Sequence, residues 1–186
     1  LAGPEEKLGL TTYTQPCILA ASMAAFRVLK QESGFTPAMA AGHSSGEYAA
    51  LICAGAISFP DAVRAVHMRG KWMERAVSAG KGGMAAVLGA SAEAVEKACE
   101  QSSTEKEKVS PANENAPGQT VISGHLPALE RAIAILKEGG AKARKLKVSG
   151  PFHTTLMREA AERMEELFRE IEFSNPAFPV IANLDA

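Results

Sequence analysis

Two adjacent serines lie between two glycines in the stretch GHSSGEYAAL, residues 42–51. The pattern Gly-x-Ser-x-Gly, with Ser44 at its centre, is typical of a sharp turn from a strand to a helix that exposes a nucleophilic serine. The next residue, Ser45, would lie at the N-terminus of that helix and offer its backbone N–H to an oxyanion. A glycine-rich turn without chemistry has the same pattern, so both interpretations are open on these residues alone.

An arginine stands in the following helix where an apolar residue is expected. The helix predicted from Ser58 has apolar positions at Phe59, Ala62, Val63, Val66, Met73 and Val77. The next inward position falls at Arg69 or Gly70. A lone arginine of this kind can pack its stem and keep its head in water. It can also present a guanidinium fork to the carboxylate of a ligand, which a lysine could not copy.

A histidine precedes a predicted helix start in the stretch SGPFHTTLM. His153 comes directly before Thr154, the expected cap, where the positive end of the helix dipole disfavours imidazolium. A neutral imidazole there is a ready general base, although a histidine satisfied locally at a helix entrance is the other interpretation. His43, the neighbour of Ser44, is predicted to be structural.

The elements that position these residues are helices and one short strand. Thr14 is predicted to cap a buried helix that has Pro16 in its first turn and ends before Gly34. A strand is predicted over residues 37–42, a helix over about 45–54, and a longer helix from a Ser58–Asp61 capping box to about residue 77.

From Gly82 the pattern changes to alternating strands and helices. Strands are predicted in GGMAAVLGAS, KVSPANE, GQTVISGH and AKARKLKVS, with helices at 92–101 and 127–137. The order β-α-β-β-α-β is the ferredoxin-like arrangement. We therefore predict an α/β fold, with an α/β-hydrolase-like body in residues 1–82 and 149–186 and an inserted ferredoxin-like α+β subdomain in residues 83–148.

Charge and cysteine usage exclude several classes of protein. The 20 basic and 21 acidic residues give a net charge of -1, which offers no electrostatic case for a nucleic-acid or membrane partner. The three cysteines have no metal-ligand spacing and are predicted to be buried, reduced thiols of a cytoplasmic protein. The longest apolar run, near residues 49–57, is about half of a ~20-residue membrane span.

Five stretches together resemble one family. TYTQPCILAAS, GHSSGEYAAL, MRGKWM, NENAPGQTVISG and GPFHTTLM occur in the order and approximate spacing of the malonyl-CoA:acyl carrier protein transacylases. The likeness covers nearly the whole chain.

The resemblance implies a two-step transfer. Ser44 would attack the thioester of malonyl-CoA with His153 as its base, while Arg69 grips the malonyl carboxylate. The phosphopantetheine thiol of an acyl carrier protein would then take the malonyl group. In this family backbone carbonyls hold the histidine in place of an Asp. No metal or bound cofactor is implied, since phosphopantetheine arrives on the partner, and a monomer is expected.

The resemblance also implies weaker roles on the small subdomain and beside the base. Asn113 and Gln119 match a stretch that positions the substrate. Phe152 matches the form of the histidine motif associated with malonyl rather than methylmalonyl units. A single apolar contact of this kind discriminates by only ~1–3 kcal/mol.

Three departures from the family pattern qualify the expectation. Ser45 stands where leucine is common, although its backbone N–H survives the change. The family's Gly-Gln-Gly loop, which gives a second oxyanion donor worth ~10²–10³ in rate, is not found, and the chain ends at PVIANLDA, before the family's last segment. We therefore expect the central part of a longer enzyme, and an isolated fragment that is slowed by the missing oxyanion donor.

Three alternatives stand beside this interpretation. The chain could be an acyltransferase domain of a polyketide or multienzyme fatty-acid synthase. It could be a serine hydrolase, which would leave Arg69 unexplained and lacks an evident triad acid. It could also be a non-catalytic module that docks a carrier protein.

Overall fold

The computed structural model describes residues 3–78, 80–148 and 150–184. The chain has a mixed α/β fold and divides into two compact units. The first unit contains the chain up to Lys71 and again from Glu162, and the second runs from Trp72 to Ala161.

The elements of the first part of the chain are helical except for one short strand. They are α1 (Glu5–Leu8), α2 (Thr11–Ser33), β1 (Ala40–Ala41), α3 (Gly46–Cys53) and α4 (Phe59–Ala76). Near the end of the chain, strand β6 (Val180–Ile181) pairs in parallel with β1. Leu19 and Met23 of α2 belong to the buried core.

The start of α2 differs from the prediction. The helix begins at Thr11, so Thr14 is not its cap. Thr14 lies in the first turns, and its hydroxyl donates to the carbonyl of Leu10 at 2.8 Å, a back-bond that short hydroxyl side chains readily make. Pro16, which has no N–H, cannot bond the Thr12 carbonyl four residues earlier. The ring Nδ1 of His67 lies 3.2 Å from that carbonyl instead.

Other bounds in the first unit agree more closely with the prediction. Helix α3 matches the predicted helix to within one residue, whereas the predicted strand over residues 37–42 is only the two residues of β1. The Ser58 hydroxyl accepts the N–H of Asp61 at 3.2 Å, which confirms Ser58 as the cap of α4.

The second unit contains a four-stranded antiparallel sheet. Its elements are β2 (Gly82–Leu88), α5 (Ala92–Ser102), β3 (Val109–Ala116), β4 (Gln119–His125), α6 (Leu126–Glu138) and β5 (Lys142–Lys145). The strand order is β3-β4-β2-β5. A core of buried apolar residues joins the sheet to both helices, and it includes Val87, Val95, Ile122 and Leu129. The predicted order of six elements is confirmed, and Pro111 is tolerated because it lies at a bulge in the edge strand β3.

The last helix also begins as predicted. Thr154 caps a 3₁₀ turn, Thr155–Met157, by accepting the N–H of Leu156 at 3.3 Å. Helix α7 (Arg158–Phe168) follows and buries Ala160, Met164 and Leu167.

The limits predicted for the body and the subdomain, at 82/83 and 148/149, stay a prediction. Ser149 and the terminal residues lie outside the described residues. Of the three cysteines, Cys99 is buried as predicted, whereas Cys17 and Cys53 are only half-buried. In the described ranges no helix is both long and apolar enough to cross a membrane.

Candidate active site

The turn between β1 and α3 holds Ser44 in an unusual backbone conformation. Ser44 has a φ of 51°, in the left-handed region that a serine rarely adopts. A Cβ on Gly42 would lie 2.0 Å from the carbonyl carbon of Gly46, so only glycine fits at position 42. A Cβ on Gly46 would meet open space. Of the two glycines in the motif, only Gly42 is therefore required by the close approach of the backbone.

Ser45 lies at the N-cap of α3, where the first amides of the helix point outward. Among the described residues, no hydrogen bond uses the Ser45 N–H. This amide is therefore available to an oxygen of a ligand, at the positive end of a helix dipole.

Arg69 of α4 points toward Ser44. Its Nη2 lies 3.4 Å from the Ser44 Oγ, and its Nη1 donates to the Gln15 Oε1 at 2.8 Å. The neighbouring Gly70 allows α4 to lie close to α2, because a Cβ at position 70 would lie 2.5 Å from the carbonyl oxygen of Thr11 in α2. The residue pattern raised two interpretations for Arg69, and the structure brings it to the candidate nucleophile.

The environment of Arg69 is poor in compensating charge. The side chain is partly buried, and burial lowers its pKa, an effect that Tyr48 and Glu47 nearby oppose. Within the described ranges, no carboxylate lies at ion-pair distance from its guanidinium. A partly desolvated guanidinium next to a hydroxyl is suited to receive a carboxylate from a ligand.

Two polar residues of this site were not singled out by the sequence. Gln15 is only 5 % exposed, and its Nε2 donates to the Thr11 Oγ1 at 2.9 Å, so its oxygen faces Arg69. The glutamine followed by proline in TYTQP was the available signal. Asn183, after β6, accepts the Ser44 N–H on its Oδ1 at 2.9 Å. Nothing near position 183 in the sequence indicates that contact.

The remaining predicted site residues belong to the second unit, which is described by itself. His153 has a φ of 59° and precedes the Thr154 cap. Phe152 is partly buried against a cluster that contains Met73 and Met157. These contacts leave the predicted roles of His153 and Phe152 as predictions.

Asn113 and Gln119 lie on neighbouring strands of the sheet. Asn113 pairs with Val121 beside a bulge in β3 and is half-buried. Gln119 begins β4 opposite Leu88 and is exposed. Their predicted role in positioning the substrate also stays a prediction. Over the described part of the chain, no group of three or more His, Cys, Asp or Glu side chains could hold a metal ion.

The turn between β1 and α3 thus combines a serine in the left-handed region with an arginine 3.4 Å from its hydroxyl. The sequence pattern of the family described as acyl transferase domain matches residues 1–185, and the chain belongs to this family. The chain is 52% identical over 184 residues to the malonyl CoA-acyl carrier protein transacylase of Salmonella typhimurium, covering 98% of this chain and 59% of that protein. It therefore spans about three fifths of the length of that relative.

Solved structures agree with the family assignment. The malonyl CoA-acyl carrier protein transacylase of Coxiella burnetii matches with a TM-score of 0.95 at 44% identity, over 97% of this chain and 57% of that one. A malonyl-transacylase in complex with a type II PKS acyl-carrier protein matches with a TM-score of 0.94 at 47% identity, over 97% and 59% of the two chains.

Proposed function

We propose that the protein containing this chain transfers a malonyl group from malonyl-CoA to the phosphopantetheine thiol of an acyl carrier protein, and so supplies fatty-acid biosynthesis. The position of Arg69 Nη2, 3.4 Å from Ser44 Oγ, carries the proposal. A malonyl thioester has its carboxylate one methylene away from the carbonyl carbon that a nucleophile attacks. A cation directly beside the nucleophile suits this short, charged acyl group.

Gln15 supports this function by orienting the guanidinium. Its Oε1 accepts from Arg69 Nη1, and its own Nε2 is held by Thr11. One edge of the planar guanidinium is thereby fixed, and the other is directed at Ser44. A flexible ammonium could not be oriented in this way, which explains an arginine at this position.

The transfer would proceed by two reactions at Ser44. In the first, the Ser44 Oγ attacks the thioester carbonyl while His153 takes the hydroxyl proton, and the Ser45 N–H stabilises the oxyanion. The C–S bond then breaks, and CoA leaves as the thiol with the proton from His153. In the second, the phosphopantetheine thiol gives its proton to His153 and attacks the ester, and Ser44 regains a proton. Written in this way, the reaction uses no bound cofactor.

We assign supporting roles to residues of the second unit. Asn113 and Gln119 would position the substrate, and Phe152 would leave little room for a branched α-carbon next to His153. The left-handed φ of His153 supports its role, because such backbone conformations cluster at functional sites.

For the finer fold we propose an α/β-hydrolase-like body with an inserted ferredoxin-like subdomain. The left-handed serine between β1 and α3 supports the first part. The element order β-α-β-β-α-β and the strand order β3-β4-β2-β5 support the second.

Kinetics of transfer test the proposal. The longest form of the protein that contains this chain is supplied with malonyl-CoA and a phosphopantetheine-bearing acyl carrier protein at varied concentrations of both. Parallel double-reciprocal lines and complete loss of transfer in Ser44→Ala are expected, while Ser174→Ala, an exposed control, transfers normally. Hydrolysis of malonyl-CoA at a rate independent of the carrier would contradict the proposal and favour the hydrolase alternative.

A further inference from the structure

Asn183 meets the candidate nucleophile from a distant part of the chain. Strands β1 and β6 are parallel, so the segments that follow them leave the same edge of the sheet. The Asn183 Oδ1 accepts the Ser44 N–H at 2.9 Å, and its Nδ2 donates to the Ser44 carbonyl oxygen at 3.3 Å. One planar amide thus contacts both backbone polar groups of Ser44.

Glu47 fixes the orientation of that amide. Its Oε2 accepts the backbone N–H of Asn183 at 2.9 Å and also accepts the Asn183 Nδ2. An amide nitrogen only donates and an amide oxygen only accepts. All three contacts of the Asn183 amide are therefore satisfied only when Nδ2 faces the oxygens of Glu47 and Ser44 and Oδ1 faces the Ser44 N–H. Glu47 therefore determines which atom of Asn183 each group of Ser44 meets.

The geometry of the peptide bond gives this contact a chemical consequence. The N–H of Ser44 belongs to the peptide plane before its Cα, and its carbonyl belongs to the plane after it. Holding both planes against one rigid amide restricts φ and ψ of Ser44, whose φ of 51° is unfavourable for a serine. In a trans peptide the Ser44 C=O and the Ser45 N–H point in opposite directions. The bond from Asn183 Nδ2 to the Ser44 oxygen consequently turns the Ser45 N–H away from Asn183.

We propose that Asn183, held by Glu47, is a positioning residue that keeps Ser44 in its left-handed conformation and aims the Ser45 N–H at the oxyanion. The inference rests on the proposed function, because it assigns the Ser45 amide to a tetrahedral intermediate. Since the oxyanion forms only during reaction, loss of Asn183 lowers the rate of acylation and leaves substrate binding nearly unchanged.

Single-turnover acylation with malonyl-CoA tests this proposal in the longest form of the protein that contains the chain. The limiting rate and the half-saturating concentration are measured for Asn183→Ala, Asn183→Asp, and Asn183→Asp combined with Glu47→Gln. For Asn183→Ala we expect a ~10–100-fold lower limiting rate, part of the ~10²–10³ that one oxyanion donor supplies, with half-saturation changed by less than about threefold.

The double variant separates positioning from general damage. Asn183→Asp places two carboxylates side by side, whereas the added Glu47→Gln supplies an amide that can donate to the new aspartate. The double variant is expected to react at least about threefold faster than Asn183→Asp alone. Asn175→Asp and Glu172→Gln, both exposed in the segment before β6, are controls with unchanged rates.

Each contrary result has a distinct meaning. A limiting rate for Asn183→Ala within twofold of the unchanged protein would overturn the inference, and so would a double variant no faster than Asn183→Asp. If Asn183→Ala does not fold, the comparison of the double variant with Asn183→Asp decides whether Asn183 positions Ser44. Failure of the unchanged protein to form any malonyl ester would instead contradict the proposed function, and this inference with it.

Discussion

The Nη2 of Arg69 in α4 lies 3.4 Å from the Oγ of Ser44 in the turn between β1 and α3, although the two residues are 25 positions apart. A cation at this distance from a hydroxyl can hold the far end of a short acyl group while the hydroxyl attacks its near end. The expected effects of substituting Arg69, and of substituting Gln15, which contacts it, follow from this arrangement.

Replacing Arg69 is expected to remove the preference for a charged acyl group. Arg69→Ala should lower kcat/KM for malonyl-CoA about 100-fold, and Arg69→Lys about tenfold, because lysine keeps the charge without the fork. Rates with malonyl-CoA and acetyl-CoA provide the measurement. Arg64→Ala is the matched control. Arg64 lies on the same helix as Arg69, and its loss removes only an exposed ion pair with Glu170. An unchanged ratio of the two rates in Arg69→Ala would rule out the carboxylate contact.

Gln15 is expected to act through Arg69. Gln15→Leu keeps the approximate volume but removes the acceptor of Arg69 Nη1, so the guanidinium loses one of its fixed contacts. We expect KM for malonyl-CoA to rise about tenfold with a smaller change in kcat, as measured by steady-state kinetics. Gln31→Leu, on the exposed side of α2, should leave both constants unchanged. A kcat effect without a KM effect would argue against this role.

The local residue pattern singled out Ser44 and Arg69 but left two interpretations open for each, and the family resemblance decided between them. Glycine spacing marks the turn, and the interrupted apolar phase of α4 marks the arginine, because both signals lie within a few residues of the side chain concerned. Asn183 could not be found in this way, since its contact with Ser44, 139 positions away, depends on the parallel pairing of β1 with β6.

Two predicted elements of the first unit differ from the structure in their bounds. Thr14 was expected to cap α2, but its hydroxyl bonds back to Leu10 within a helix that had already begun. The helix starts at Thr11, and the His67 Nδ1 lies 3.2 Å from the Thr12 carbonyl, to which Pro16 has no N–H to donate. Strand β1 is shorter than predicted, and its two residues, Ala40 and Ala41, are the two that pair with Val180 and Ile181 of β6.

Gly42 and Gly46, the two glycines of the serine motif, are expected to differ in how much a substitution by alanine destabilises the fold. Gly42→Ala would force a Cβ to within 2.0 Å of the Gly46 backbone and should destabilise the fold by about 3 kcal/mol or more. Gly46→Ala meets open space and should leave the free energy of unfolding within about 1 kcal/mol. Urea denaturation of the two variants measures the difference. Equal stabilities would show that the turn can relax around a Cβ at position 42, contrary to this expectation.

Tyr48 is expected to make stability depend on alkaline pH. Burial raises its pKa to about 12; the Arg69 cation opposes this effect and Glu47 adds to it. Between the ordinary value near 10 and about 12, the unfolded chain releases the tyrosine proton and the folded chain keeps it. The contribution of Tyr48 to the free energy of unfolding is thus fully present below pH ~10. Up to ~2–3 kcal/mol of it is lost as pH rises through 12.

Comparison of two phenylalanine variants tests this dependence. Urea unfolding from pH 9 to 12 should show a shallower decline in stability for Tyr48→Phe than for the unchanged chain. Tyr13→Phe, at an exposed tyrosine of α2, should keep the full decline. The same decline in both variants would assign the effect to other groups.

The most direct test of the central claim is peptide mapping by mass spectrometry after the longest form of the protein is mixed with malonyl-CoA. We predict one malonyl group on the peptide that contains Ser44, still present in Ser45→Ala, absent in Ser44→Ala and absent when acetyl-CoA replaces malonyl-CoA. A malonyl group on another residue, or none on the unchanged protein, would contradict the assignment of Ser44 as the nucleophile.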